Sequence, residues 1–81
     1  METIYLDDFT VDGIIKEKIF RKKIDEINWN QYLNKKVLIK GCSKAPVPTW
    51  AYLIIATKLT PYASSLFYGE PCSAMTIFKK N

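Results

Sequence analysis

One stretch, residues 37–59, constrains the fold of this chain more than any other segment. It opens with the β-branched and apolar run 37–39, which predicts a buried strand. Gly41, Pro46 and Pro48 follow and indicate a loop. Pro48 suits the first turn of a helix, because no backbone N–H is needed there. The apolar residues after it predict a helix through the rest of the stretch.

A further strand is predicted at residues 65–68, so the chain reads strand, loop, helix, strand over about 37–68. Such crossovers make their two strands parallel, with a right-handed connection in about 98% of cases. A turn at 69–73 and a last strand at 75–78 predict a C-terminal antiparallel hairpin. The predicted fold class is therefore α/β, a small mixed sheet with two helices, and α+β is the alternative.

The first half of the chain supplies the other helix. Residues 3–6 predict a short strand, Asp12 and Gly13 a turn, and residues 14–15 a second extended piece. An amphipathic helix is predicted from about Glu17, because apolar residues recur there at helical spacing. These residues are Ile19, Phe20, Ile24 and Ile27. Asn28 to Asn30 should end this helix, and Trp29 and Tyr32 should pack over the edge of the core.

Composition bounds the class of protein. The 81 residues fit one domain, 1–81, and a content of 48% hydrophobic residues argues against disorder. The longest apolar run, 50–56, is far shorter than the roughly 20 residues that span a bilayer, and no signal peptide is recognisable. We therefore expect a cytoplasmic protein that does not bind membranes. The net charge is +4, but the sequence has no cluster of arginines of the kind that nucleic-acid sites contain. Nucleic-acid binding is therefore not expected. Histidine, the usual general base, is absent from the sequence, which disfavours an enzyme.

Two cysteines are the candidate site. Cys42 follows the first strand of the crossover and Cys72 follows the second. Parallel neighbours end at the same edge of a sheet, about 4.8 Å apart, so the two sulfurs should lie within roughly 10 Å of each other. The free N–H groups of the helix start, together with Lys44, would lower the pKa of a thiol there. Ser43 and Ser73 follow the cysteines and could cap turns or contact an anion.

Several readings of these thiols stay open. Reduced thiols are expected in the cytosol. They could bind a ligand, with Cys42 and Cys72 as the candidate metal ligands, or Cys42 could be the nucleophile of a thiol enzyme. Free cysteine is also one of the most buried residue types, so both could simply pack in the core. No cofactor is identified by the sequence.

The predicted central helix also suggests self-association. Its segment 50–56 has no polar flank, and a helix that is apolar all round must be buried all round. A domain of this size can cover only one side, so a second copy related by a two-fold axis should cover the other. The predicted homodimer interface consists of Trp50, Leu53, Ile54 and Ile55.

Several short motifs resemble a known family. They are GCS at 41–43, PVP at 46–48, AY at 51–52, LTP at 59–61 and YGEPCS at 68–73. Together they resemble the C-terminal half of an uncharacterised bacterial family, domain of unknown function 2480. Residues 16–32 and 48–52 are more similar to its N-terminal half. Thr76 departs from the proline that the family tends to have after its second cysteine motif.

The resemblance implies a single half-unit of a family whose members have two related halves, so a homodimer would rebuild the longer chain. The family has no established activity. Its genes often lie near iron–sulfur cluster assembly genes, which implies an accessory role. The predicted function is a small non-enzymatic binding or accessory protein, linked to iron–sulfur or sulfur metabolism through Cys42 and Cys72. A dimer would offer four thiolates, the number that zinc and iron–sulfur sites use. The alternative is an interaction module that dimerises or docks on a protein partner, with both cysteines in its core.

Overall fold

The computed structural model describes residues 1–41 and 46–80. Within these residues the chain forms a four-stranded mixed sheet, two α-helices and two short 3₁₀ helices. The α/β class and the C-terminal antiparallel hairpin predicted from the sequence are confirmed. The elements in chain order are β1 (Glu2–Tyr5), a 3₁₀ helix (Leu6–Phe9), α1 (Glu17–Glu26), a second 3₁₀ helix (Trp29–Tyr32), β2 (Lys36–Lys40), α2 (Thr49–Leu59), β3 (Ser65–Tyr68) and β4 (Met75–Lys79).

The strands lie side by side in chain order, β1-β2-β3-β4. Strands β1, β2 and β3 are parallel, and β4 returns antiparallel to β3. The predicted crossover from β2 through α2 to β3 is therefore confirmed, with Ile39 of β2 beside Tyr68 of β3. A first crossover of the same kind runs from β1 through α1 to β2. Two crossovers of one hand that advance in one direction place both helices on one face of the sheet.

The core lies between that face and the helices. Alternate strand residues point to opposite faces of a sheet, so Val37 and Ile39 share a face that Leu38 does not. Leu38 accordingly lies outside the cluster of buried side chains that joins the sheet to both helices. The helix side of that cluster includes Phe20, Ile24, Ala51, Ile55 and Leu59, and the sheet side includes Ile4, Val37, Ile39 and Leu66.

Helix α1 follows its predicted periodicity closely. Phe20 and Ile24 are buried, and the charged residues between them are exposed or nearly so. The helix ends because Trp29 folds back, and its indole Nε1 donates a hydrogen bond of 3.2 Å to the carbonyl of Ile24. The Asn28 side chain accepts from the Asn30 N–H and starts the second 3₁₀ helix. Trp29 and Tyr32 pack on the core as predicted, with ring centroids 5.9 Å apart.

Smaller differences from the predicted boundaries occur near turns. Asp12 and Gly13 both have positive φ, which fits the two-residue type I′ turn that this pair favours. The predicted extended piece at 14–15 is only an isolated bridge between Val11 and Ile14. Helix α2 begins at Thr49, one residue after Pro48, which is within the usual uncertainty of helix ends. None of the helices in the described part of the chain has the length and apolar character needed to cross a membrane.

Candidate functional site

The carboxyl ends of β2 and β3 meet at one edge of the sheet, where the sequence placed the site. Strand β2 ends at Lys40 and β3 at Tyr68. Just beyond them, the Gly69 N–H donates a hydrogen bond of 3.4 Å to the carbonyl of Ile39. Gly69 has a φ of 120°, so its backbone conformation suits glycine. The turn that carries Cys72 therefore starts directly beside the end of β2.

Helix α2 closes onto this edge through an aromatic pair. The rings of Tyr52, on α2, and Tyr68 meet edge to face, with centroids 5.0 Å apart and planes at 88°. A methyl group added to Gly41 would collide with the Tyr52 hydroxyl. An alanine at this position would make the Tyr52 side chain shift, so glycine favours the close approach of that tyrosine. Through its contact with Tyr68 and its approach to Gly41, Tyr52 holds α2 against the ends of both strands.

Lys40 links three strands at the same edge. Its ammonium lies 3.7 Å from the carboxylate of Glu70, in the β3–β4 turn. It also lies 5.9 Å from the centroid of the Tyr5 ring, at the end of β1. Partly exposed pairs of this kind contribute about 0–1 kcal/mol. The arrangement orders the side chains of the edge, and it leaves Lys40 with a positive charge that Glu70 offsets.

The structure describes only part of the predicted thiol site. Cys72 is exposed and not in a disulfide, and Ser73 beside it is also exposed. Cys42, Ser43 and Lys44 lie outside the described residues, so the predicted juxtaposition of two thiols stays a prediction. The alternative that placed both cysteines in the core is wrong for Cys72, because a turn that projects beyond the sheet leaves its side chain in solvent.

The acidic and thiol groups that the structure describes do not form a metal centre. Within residues 1–41 and 46–80, no three Asp, Glu, Cys or His side chains cluster closely enough to hold a metal ion. A four-ligand zinc or iron–sulfur site would therefore need ligands beyond those of the described part of one chain.

The predicted dimer surface on α2 is corrected at one residue. Ile55 is completely buried in the chain's own core and offers no surface to a partner. It points inward because Ala51, Ile55 and Leu59, at helical spacing, form the stripe that packs on the sheet. Leu53 is 60% exposed, and Trp50 and Ile54 are half-buried, with the Trp50 ring against Phe20 at 5.5 Å. The interface stays a prediction for those three residues.

Sequence reasoning did not identify the polar and aromatic residues of the edge. Tyr5, Lys40, Tyr52, Tyr68 and Glu70 all belong to it. A signal for three of them exists in the sequence, because the last residues of aligned parallel strands must lie at one edge. Tyr5, Lys40 and Tyr68 are the final residues of β1, β2 and β3.

These features define a two-layer α/β domain, with a mixed sheet, helices on one face and an ordered carboxyl edge. The chain belongs to the family of proteins of unknown function DUF2480, whose model matches residues 10–80. The resemblance found in the cysteine motifs is thereby confirmed. Comparison with curated proteins and with solved structures gives no significant match.

Proposed function

We propose that this domain is a non-enzymatic protein-interaction module that works as a homodimer, with the outer surface of α2 as the contact. The observation that carries the proposal is the exposure of Leu53 in the middle of α2, whose only charged residue, Lys58, lies in its last turn. Residues 49–57 contain no charged side chain. Helix α1 differs, since charged residues occupy its outer side. Leu53 adjoins the half-buried Trp50 and Ile54 on this surface, and a contiguous apolar patch of this kind is typical of an interface.

The expected strength of the dimer follows from the size of this surface. Helix α2 has 11 residues, about 16 Å of helix, and only its outer side is free. A contact of that length falls below the roughly 1,200–2,000 Å² of a standard interface, unless neighbouring loops add to it. We therefore expect dissociation in the micromolar range, where mass action makes the oligomeric state depend on concentration.

Light scattering coupled to size-exclusion chromatography tests the dimer. The wild-type chain should change from monomer to dimer as its concentration rises from about 1 μM to about 1 mM, the range of weak dissociation constants. The Leu53→Lys variant should remain monomeric. Asn30→Lys makes the same charge change at an exposed residue outside α2, and it should dimerise like the wild type. A wild-type monomer at 1 mM, or a Leu53→Lys dimer, would contradict the proposal.

A second candidate is a thiol-based accessory role in iron–sulfur or sulfur chemistry. The exposure of Cys72 beside the joined ends of β2 and β3 supports it, because a ligating or sulfur-accepting thiol must be accessible. The link to iron–sulfur chemistry comes from the family resemblance. A homodimer would bring four cysteines, two from each chain.

Metal and acid-labile sulfide analysis of anaerobically purified protein tests this second candidate. The wild type should contain zinc or an iron–sulfur cluster, and Cys42→Ser and Cys72→Ser should each lose most of it. Ser73→Ala, a change in the same exposed turn, is the matched control and should retain the metal. Two results together would exclude a shared thiol site. The wild type would contain no metal, and the thiol that remains in each cysteine variant would react with iodoacetamide as it does in the wild type.

A further inference from the structure

Over residues 1–41 and 46–80, one face of the sheet carries no helix. Both crossover helices pack on the face that carries Val37 and Ile39. Parallel strands are normally covered on both faces, so three adjacent parallel strands with an uncovered face are unusual. We call the side of the sheet that carries Leu38 the open face. It is distinct from the outer surface of α2, which lies on the other side of the molecule.

The middle of the open face is a row of register partners that crosses the strands. Its members are Thr3 on β1, Leu38 on β2, Phe67 on β3 and Thr76 on β4, and we call it the apolar row after Leu38 and Phe67 at its centre. The register shift between Leu66 and Phe67 leaves Ile77 as an extra residue beside this row. Leu38 is only 1% exposed, whereas Ile77 is 47% exposed. The row therefore has a closed centre and an accessible end.

Lysines border the apolar row on both sides. Lys36 on β2 and Lys79 on β4 both pair in register with Ser65, and they form one border. Lys40, beside Tyr5, forms the other. Every charged strand residue described on this face is a lysine, and Glu70 approaches only Lys40, from the adjacent turn. The face therefore has exposed apolar surface at Ile77, a positive border at Lys36 and Lys79, and an ion pair between Lys40 and Glu70 on the opposite border.

We propose that the open face binds an amphipathic helix of a protein partner, with apolar residues against Phe67 and Ile77 and Asp or Glu against Lys36 and Lys79. The row crosses four strands, a span of about 14 Å at 4.8 Å per strand. That span equals about ten residues of α-helix, enough for apolar residues at i, i+3 or i+4, and i+7. The border formed by Lys36 and Lys79 lies two residues, about 7 Å, from the row, within reach of acidic side chains on a helix about 10 Å wide.

Charge selects this occupant over a second copy of the chain. Two open faces in contact would bring four lysines together without opposing carboxylates, Lys36 and Lys79 of each copy, which disfavours pairing. The residues of the row also favour a protein over single-stranded nucleic acid. Stacking platforms need open aromatic faces. Here Leu38 and Ile77 are aliphatic, and Lys40 stands over the ring of Tyr5.

A labelled synthetic peptide tests the proposal by fluorescence anisotropy. The probe is a 16-residue helical peptide with leucines along one stripe and glutamates along one border of it. A peptide of the same composition, scrambled so that no leucine stripe exists, is the control. The full-length chain should bind the first peptide at least about tenfold more tightly than the second, because only the first can present apolar and acidic groups together. Binding should weaken as salt rises.

Variants locate the bound peptide. Lys36→Glu with Lys79→Glu should weaken binding about tenfold or more, since two favourable charge pairs become repulsive. The matched control, Lys18→Glu with Lys22→Glu, changes the same charge on exposed residues of α1 and should bind like the wild type. Ile77→Ser should weaken binding severalfold through lost apolar contact. Circular dichroism of each variant should match the wild type.

Three results would overturn the proposal. Equal affinity for the two peptides would show that charge alone attracts them. If the α1 control variant lost as much peptide affinity as the Lys36→Glu, Lys79→Glu variant, the lysines of the open face would not form the binding site. Tighter binding of a 20-nucleotide oligothymidylate than of the helical peptide, lost on the same open-face lysine reversals, would assign the face to nucleic acid instead. None of these results bears on the α2 dimer, because the Leu53→Lys variant reports on that contact separately.

Discussion

The two faces of the sheet carry similar buried residues in different surroundings. Ile39 and Leu38 are adjacent in β2, and both are almost completely buried. Ile39 belongs to the continuous core that joins the sheet to both helices, whereas Leu38 lies outside that core. Two buried residues of one strand thus differ in what surrounds them. Burial beneath the helices contributes to folding, and the face outside that core presents the exposed Ile77 for binding.

The largest expected effect is a loss of unfolding free energy, caused by a substitution on the face of the sheet beneath the helices. Ile39→Ala removes three carbons from a fully packed site that the rigid helices cannot refill, so it should cost about 2–5 kcal/mol of unfolding free energy. An 81-residue domain has roughly 4–12 kcal/mol in total, and the variant should therefore be close to unfolding at room temperature. Urea denaturation followed by circular dichroism measures the change. A loss below about 1 kcal/mol would mean that the helices do not form a tight core over β2.

A second change on the same face tests crowding instead of a cavity. Gly41→Ala should place its methyl group against the Tyr52 hydroxyl, and relieving that contact disturbs the Tyr52–Tyr68 pair. We expect a loss of about 1–3 kcal/mol, the usual cost of an added methyl group in a packed site. The double variant Gly41→Ala with Tyr52→Phe, which removes the colliding oxygen, should recover part of the loss. No recovery in urea denaturation would contradict this account of Gly41.

The open face should respond more weakly to the same kind of truncation. Leu38→Ala creates a space that flexible neighbours, including the long lysine side chains, can partly fill. We therefore expect a loss near the lower end of the usual range for such a change, about 2 kcal/mol, and smaller than that of Ile39→Ala. The two variants should be measured side by side in urea. An equal or larger loss for Leu38→Ala would break the comparison, because it would show that the open face is packed as tightly as the covered one.

Much of this fold could be predicted from the sequence because its signals are local. The β-branched run at 37–39, the turn chemistry at 69–73 and the periodicity of α1 each predict one element. The crossover then follows from the handedness rule. The elements that the structure confirms are all ones with such local sequence signals.

Two kinds of feature could not be predicted: which side of a helix faces the sheet, and which face of the sheet the helices cover. Helix α2 is apolar on every side, so its sequence does not indicate which side faces the sheet, and Ile55 was assigned to an interface although it belongs to the core. The run 37–39 is apolar at every position, as in a strand covered on both faces, and the open face emerges only once both helices are placed. The candidate thiol site depends on Cys42, which lies outside the described residues, so its geometry stays a prediction.

The smallest expected effect is a pH dependence on the covered side of the molecule. Burial, with the nearby charge of Glu2 as a weaker cause, raises the pKa of Tyr32 above its ordinary value of 10.0. The folded chain thus holds the phenol proton more tightly than the unfolded chain does. The contribution to stability is present in full below pH 10 and is lost as the pH rises from there through the folded pKa.

Urea titrations between about pH 9 and pH 11 check this, a range that brackets the ordinary tyrosine value. The unfolding free energy should fall over this range, and Tyr32→Phe should make the fall shallower because the phenol is gone. If Tyr32→Phe left the pH slope of the unfolding free energy unchanged, Tyr32 would not be desolvated by the core. The core would then not extend to the second 3₁₀ helix.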